Sequence, residues 1–400
     1  MSSPKTAQGA SRPPRVLLFC EKWESGGVEA FVTSLIEAWG PAAVDVTLAA
    51  CKVQPGPYDR RLAALGVTPV ALGTGVRQVG ANLRAFRRLL ARGGFDAVHL
   101  NIYEGLALLF ARAARKAGVP CVVVHSHNDD LRPSATRALK LALHRACRAC
   151  LGGAADVRLA PSQQAGRFMF GNRPFTVVLN GIDPQRFAFD EQVRAGKRGE
   201  LGLAPGELAL GCVGRLCQQK NQRFLLDVLA ELKARTQSPV RLLLVGEDDA
   251  DGSYEAALRE QAGRAGLLDE VTFCGRTSDV VPYYQAMDVL CMPSTFEALG
   301  IVAVEAQAAG LPVVASARVP AEAHSGGEFT RLPLDVDAWA DAVLAAAPTA
   351  ARRRDAGSGA EPASGEGRAL GPQRVVAAGY DMRSTAARVL EAYKTGADTR

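Results

Sequence analysis

VLCMPSTFEALGIVAVEAQAAGLPVVAS, from Val289 to Ser316, decides the fold. Val289–Met292 is apolar without interruption and predicts a short buried strand. Pro293, Ser294 and Thr295 end it. Gly300–Ala309 predicts a helix and Pro312–Ala315 the next strand. Strands this continuously apolar belong to a parallel sheet covered on both faces. The pattern extends back through a strand at Leu208–Val213, a helix at Asn221–Arg235 and a strand at Val240–Val245. A helix at Tyr254–Ala265, a strand at Val271–Cys274 and a short helix at Val281–Ala286 follow.

An earlier series precedes it. Strands are predicted at Val16–Cys20, Val44–Ala50, Val67–Ala71, Asp96–Leu100, Pro120–His125, Val157–Ala160 and Thr176–Leu179, with helices at Val28–Trp39, Asn82–Ala91 and Glu104–Ala117. Two such runs predict an α/β chain of two Rossmann-like, doubly wound domains. Ligands of this architecture bind beyond the carboxyl ends of the strands, here in a cleft between the domains. The expected division is a loose tail at 1–12, a first domain at 13–185, a second at 186–374 and a terminal segment at 375–400. Pro348–Pro372, rich in Ala, Gly, Arg and Ser, reads as a flexible excursion, and Val375–Lys394 as a helix.

The totals fit. A chain of 400 residues suits two domains. A formal charge of +6 favours anionic partners but is too small to imply nucleic acid. The nine cysteines are scattered through strand-like runs and read as reduced core residues. Cys147 and Cys150 form one Cys-x-x-Cys without the second pair that a tetrahedral metal site needs. No apolar run reaches the length of a membrane span, and Met1–Arg12 lacks the apolar stretch of a signal peptide. A cytoplasmic protein is expected.

Several polar groups fall at strand ends. Gly26 and Gly27 open the first helix, where backbone amides can approach an anion; a tight turn explains them equally well. Arg215 and Lys220 follow Leu208–Val213 and suit phosphate oxygens, or a solvated loop. Glu305 lies in an apolar helix and needs hydrogen-bond donors, for which ribose hydroxyls would serve. Were both on one helix, Glu297 and Glu305 would stand about 12 Å apart in rise, too far for a hydrolytic carboxylate pair. His125, Ser126, His127 and Asn128 end the fifth strand, with His99 expected at the neighbouring strand. Asp249-Ala250-Asp251 resembles a metal motif but reads as a solvated loop. Arg137, Lys140, His144 and Arg148 share one face of a helix over Ser134–Leu151, with Leu139, Leu143, Ala146 and Cys150 taken as the side turned to the core. Arg84, Arg87, Arg88 and Arg92 crowd an earlier helix. Such basic faces can dock on anionic membranes or simply be solvated.

Taken together, these residues resemble the retaining GT-B glycosyltransferases of family 4, from Arg15 to Lys394. Asp279–Ser316, with its Glu-x7-Glu, is the most specific part. Gly26-Gly27-Val28-Glu29, Gly214-Arg215 with Lys220, Val178–Asp183 and the His-Ser-His-Asn run support it, and the last is similar to a branch that builds capsular and exopolysaccharides. The resemblance implies a nucleotide-sugar donor, uridine-linked, and a saccharide or lipid-linked acceptor, with no cofactor and no metal. It implies that Arg215 and Lys220 hold the diphosphate, helped by Gly26 and Gly27, and that Glu305 takes the ribose and Glu297 the transferred sugar. Amides at Leu299, Gly300 and Ile301 would touch sugar and phosphate, and Arg276 would support the base through its backbone. Either His125 or His127 would face the sugar, His125 being favoured. Asn128 and Asn180 are further contacts, Asn180–Asp183 marks the hinge, and the last helix is expected to cross back to the first domain. Ala298 and Gly246-Glu247-Asp248-Asp249 depart from the family pattern. An epimerase, a sugar phosphorylase and an inactive scaffold in a glycan assembly complex are the competing readings. Intact Arg215, Lys220, Glu297 and Glu305 speak against the scaffold.

Overall fold

The structure, a computed structural model, describes residues 12–24, 26–131, 135–248, 252–355 and 367–398. The tail up to residue 11, Ser25, Asp249–Asp251 and the centre of the Pro348–Pro372 excursion therefore lie outside the described residues.

Thirteen strands form two sheets among the described residues. The first contains β1 (Arg15–Cys20), β2 (Asp45–Ala50), β3 (Val70–Ala71), β4 (Ala97–Ile102), β5 (Cys121–Ser126), β6 (Val157–Ala160) and β7 (Thr176–Val177), in the order β3-β2-β1-β4-β5-β6-β7. The second contains β8 (Leu208–Val213), β9 (Val240–Val245), β10 (Val271–Gly275), β11 (Val289–Met292), β12 (Val313–Ser316) and β13 (Phe329–Leu332), in the order β10-β9-β8-β11-β12-β13. Both orders reverse direction beside the first strand of their series, the topological switch of doubly wound folds. The registered strand pairs are parallel.

The second sheet shows why its strands read as unbroken apolar runs. Ala209, Leu243, Val245, Leu290 and Met292 pack into one core. Leu208, Leu210, Leu242, Leu244, Val289 and Cys291 pack into another. Successive residues point to opposite faces of a strand, so an apolar core covers each face.

The chain divides into two compact units. One takes the chain to Ser126, Ala142–Leu159 and everything from Ala386; the other takes His127–Leu141 and Ala160–Thr385. This differs from the expected boundary at 185/186. Within the second unit, Asp129 accepts from the backbone of Glu297, and Ser162 donates to the carbonyl of Ala298. Ile182 forms a bridge with Asp381. These bonds attach early segments to late ones.

Other expectations change in detail. The helix read over Val375–Lys394 is two, Gly371–Ala377 and Met382–Asp398, separated at Gly379 with φ of +86°. The second of them carries the return: Trp39 Nε1 donates to the Ala386 carbonyl at 3.0 Å, and His99 Nδ1 meets the Tyr393 hydroxyl at 2.8 Å. The helix Val336–Asp355 extends into the stretch read as an excursion. β13 was not foreseen.

The helix Arg137–Leu151 is turned the other way from expectation. Leu139 is 71% exposed and Leu143 46%, and Ala142, Ala146 and Cys150 are exposed beside them. His144 is buried and accepts from the Gly105 backbone N–H at 2.9 Å, so it does not belong to the solvated basic face. Lys140 and Arg145 flank the exposed apolar stripe.

Candidate functional site

Three strand ends meet at glycines in the second unit. Gly214 and Gly246, after β8 and β9, have φ of +138° and +144°, and Gly275 ends β10 with +67°. A Cβ on Gly246 would stand 2.1 Å from the Gly214 carbonyl oxygen. Only glycine lets these two turns touch.

Beyond Gly214 the chain forms a tight loop. Lys220 and Asn221 both donate their backbone N–H to Cys217 O at 3.1 Å. Asn221 takes the left-handed conformation, φ +56°, and begins the helix Gln222–Arg235. Gln222 Nε2 donates to Arg215 O at 2.9 Å, which fixes the backbone of Arg215.

This loop is stitched to the one after β11. Thr295 N donates to Gln219 O at 2.8 Å, Gln219 Nε2 to Phe296 O at 3.1 Å and Asn221 Nδ2 to Pro293 O at 3.3 Å. The stitching brings Lys220 onto Glu297: Lys220 Nζ donates to Glu297 Oε1, which also accepts from Ser294 Oγ at 2.8 Å. Both partners are largely buried. Glu297 lies on the loop, because the helix begins only at Ile301. The helical separation from Glu305 argued from sequence therefore does not apply.

Leu299 is buried, and Gly300, φ +87°, caps the helix Ile301–Ala308. The first amides of a helix have no partner within it and favour negative charge. On that helix, Glu305 Oε2 accepts from the Tyr284 hydroxyl at 2.7 Å. Burial pushes the Glu305 carboxyl up to about 7, offset in part by Tyr284 and by the charge of Arg186. The side chain of Arg276, whose backbone was expected at the base, forms an exposed ion pair with Glu247 at 3.2 Å. Asn180 keeps a buried Oδ1 without a partner. Two residues on, Ile182 N donates to Tyr380 O at 2.8 Å and Met382 N to Ile182 O at 2.9 Å.

In the first unit, His125 is fully buried and its Nδ1 lies 3.2 Å from His99 Nε2. His99 reaches Tyr393 in turn, and burial holds it neutral by lowering its pKa to about 3. Phe31 packs edge-on against His125. Gly26 caps the helix Gly27–Trp39, but the first turn already holds a carboxylate. Glu29 Oε1 accepts from the Glu24 N–H at 3.2 Å, and its Oε2 would lie 2.7 Å from a Cβ on Gly26. An anion would share that turn with Glu29, which the glycines alone did not reveal. Gly27 is uncrowded. His127 is buried and Asn128 partly so, both in the second unit.

Sequence reasoning missed Tyr284, Ser294, Asp129 and Ser162. Asp129 continues the polar His125–Asn128 run by one residue, and that was its only signal.

Residues 25–186 match the family described as Glycosyltransferase Family 4, and residues 207–347 match Glycosyl transferases group 1. The putative glycosyltransferase EpsF of Bacillus subtilis (strain 168) is 31% identical over 355 residues, covering 86% of this chain and 91% of its own. A GDP-mannose-dependent alpha-(1-6)-phosphatidylinositol monomannoside mannosyltransferase of Mycolicibacterium smegmatis is 31% identical over 273 residues, 64% of this chain and 68% of its own. Among solved structures, Anabaena Alr3699/HepE in complex with UDP-glucose superposes with a TM-score of 0.75 at 20% identity, covering 95% of this chain and 99% of that one. WaaG, a glycosyltransferase involved in lipopolysaccharide biosynthesis, gives 0.67 at 18% identity, with 93% and 98% covered. With two parallel sheets of GT-B type and matches along both halves, the chain belongs to glycosyltransferase family 4.

Proposed function

We propose that this glycosyltransferase moves a sugar from a uridine-linked donor to a saccharide or lipid-linked acceptor, with retention and without a bound metal, in the building of a polysaccharide or glycoconjugate. The observation that carries the reading is the Lys220–Glu297 pair, held by interlocked loops at the ends of β8 and β11. In this structure Glu297 partners Lys220. A donor diphosphate would draw the lysine to itself, with Arg215 as second cation, and release Glu297 to the sugar hydroxyls. Glu305 has one oxygen engaged by Tyr284 and would offer the other to the ribose.

The chemistry then needs little else. The bond from anomeric carbon to phosphate oxygen breaks, and the acceptor oxygen bonds to that carbon on the same face. The acceptor proton passes to the departing phosphate. Preorganised cations and helix amides stabilise the charge that develops there.

Uridine is favoured by the UDP-glucose in the HepE structure; guanosine is the second reading, from the GDP-mannose dependence of the mycobacterial relative. The test is a panel of UDP-, GDP-, ADP- and dTDP-sugars, followed by thermal shift and by nucleoside diphosphate release with EDTA present. One donor that stabilises and turns over in EDTA is expected. Release that needs added metal would sink the metal-free mechanism, and a folded protein that binds no donor would favour the scaffold.

A peripheral membrane contact on the cytosolic face belongs to the same reading. Leu139 and Leu143 present an apolar stripe between Lys140 and Arg145, the pattern of a helix lying in a lipid interface. No helix among the described residues is long and apolar enough to cross a membrane.

A further inference from the structure

A second carboxylate grips the loop that carries Glu297. Asp129 is only 7% exposed. Its Oδ2 accepts the Glu297 backbone N–H at 3.2 Å and Gln164 Nε2 at 2.9 Å, while its Oδ1 is buried with no partner. One residue along, Ala298 O accepts from Ser162 Oγ at 2.6 Å, and that same hydroxyl caps the helix Gln163–Phe170 through the Ala165 amide. Two consecutive residues of the loop are thus held by side chains 168 and 136 positions away in sequence.

An unpaired buried acceptor is costly, and folded chains rarely keep one. Here the same carboxyl is what fixes the backbone of Glu297. The Glu297 side chain, with Lys220 and Ser294 on Oε1, can be placed no better than its own backbone.

We propose that Asp129 is a positioning residue for Glu297, holding its backbone amide so that the carboxylate meets Lys220 and the donor sugar in one geometry. The inference rests on the transferase reading. The charged groups facing Asp129 are Glu297 and its neighbour Asp130, with Lys220 beyond Glu297. Desolvation, then the Glu297 charge, pushes the Asp129 carboxyl up to about 7. Near neutrality the carboxyl can therefore carry a proton on the unpaired Oδ1 and still accept through Oδ2. Above that pH a second negative charge appears beside Glu297, where an anionic donor must bind.

Asp129→Asn keeps an acceptor for both N–H groups and cannot ionise; Asp129→Ala removes it. Hydrogen–deuterium exchange in peptides covering 293–300, without ligand, should speed up by about fivefold in Asp129→Ala and stay at the wild-type rate in Asp129→Asn. With whichever of UDP-glucose, UDP-galactose and GDP-mannose the wild type turns over, Asp129→Ala should lose about tenfold in kcat with a smaller change in KM. Asp129→Asn should restore kcat, and should abolish a wild-type fall in kcat/KM above pH 7. Unchanged exchange in Asp129→Ala overturns the proposal. So does faster exchange with unaltered kcat, or an alkaline fall that survives in Asp129→Asn. A wild type inert toward every donor would instead count against the transferase reading, and the exchange rates would still decide whether Asp129 holds the loop.

Discussion

Lys220 is the residue on which the proposed donor site turns. It is one of two cations at the end of β8, and its ammonium pairs with Glu297. If it acts as a single preorganised donor to the leaving phosphate, Lys220→Ala should cost about 2–4 kcal/mol in the transition state, a loss of roughly 30- to 10³-fold in turnover. Single-turnover kinetics would read it, and unchanged turnover would remove Lys220 from the mechanism. Tyr284 acts through Glu305. Tyr284→Phe removes a hydrogen bond to a carboxylate, worth about 1.5 kcal/mol or about tenfold in donor affinity. The loss should appear in KM, and an effect confined to kcat would argue against a ribose role for Glu305. These two residues differ in legibility. Lys220 stands at a strand end after a glycine, where its type and place are informative. Tyr284 lies among apolar neighbours in a short helix, and nothing local distinguishes a packing ring from one whose hydroxyl orients an acid.

At the scale of elements, most strands were legible because burial on both faces forces continuous Val, Leu and Ile. β13, Phe-Thr-Arg-Leu, was not, because it lies at the edge of its sheet and its middle residues are exposed. Helix orientation was the harder problem. The apolar stripe of Arg137–Leu151 satisfies the period of a core face yet points outward, and periodicity cannot tell which side meets solvent. Leu139→Glu with Leu143→Glu should abolish sedimentation with phosphatidylglycerol vesicles and leave thermal stability nearly unchanged. Equal binding to pure phosphatidylcholine vesicles would contradict a role for Lys140 and Arg145. The glycine turns make a separate test. Gly246→Ala forces a Cβ against the Gly214 carbonyl at a positive φ. It should destabilise the second unit by more than about 2 kcal/mol, read as a lower urea midpoint. An unchanged midpoint would mean that the two turns separate freely.

At the scale of the whole molecule, buried acids set how stability varies with pH. Glu21, Asp129 and Glu305 are each pushed up to about 7, all chiefly by desolvation. Each keeps its proton in the folded chain over a range where the unfolded chain has lost it. Their stabilisation is full below about pH 4 and lost by about pH 7. His99, lowered to about 3, acts oppositely up to its unfolded value near 6.5. Three groups outweigh one, so urea midpoints should fall from pH 5 to pH 7 and level off above it. A rise over that interval would show that these acids are ionised in the folded chain. The fold was legible at this scale from two repeated series, but the division into units was not. Contacts such as Asp129 with Glu297 join positions too far apart for any local pattern to register.

The return of the last helix has a consequence for the order in which the protein is made. Trp39 and His99 find partners in Ala386 and Tyr393. Those partners leave the ribosome nearly 300 residues after His99, tens of seconds later at about 5–20 residues per second. Until then the first unit has its sheet but not its closing helix, and a buried histidine lacks its phenol. A chain released early by a premature stop would never complete that unit, however well its central portion had folded. The first unit is thus closed by a helix made long after its sheet.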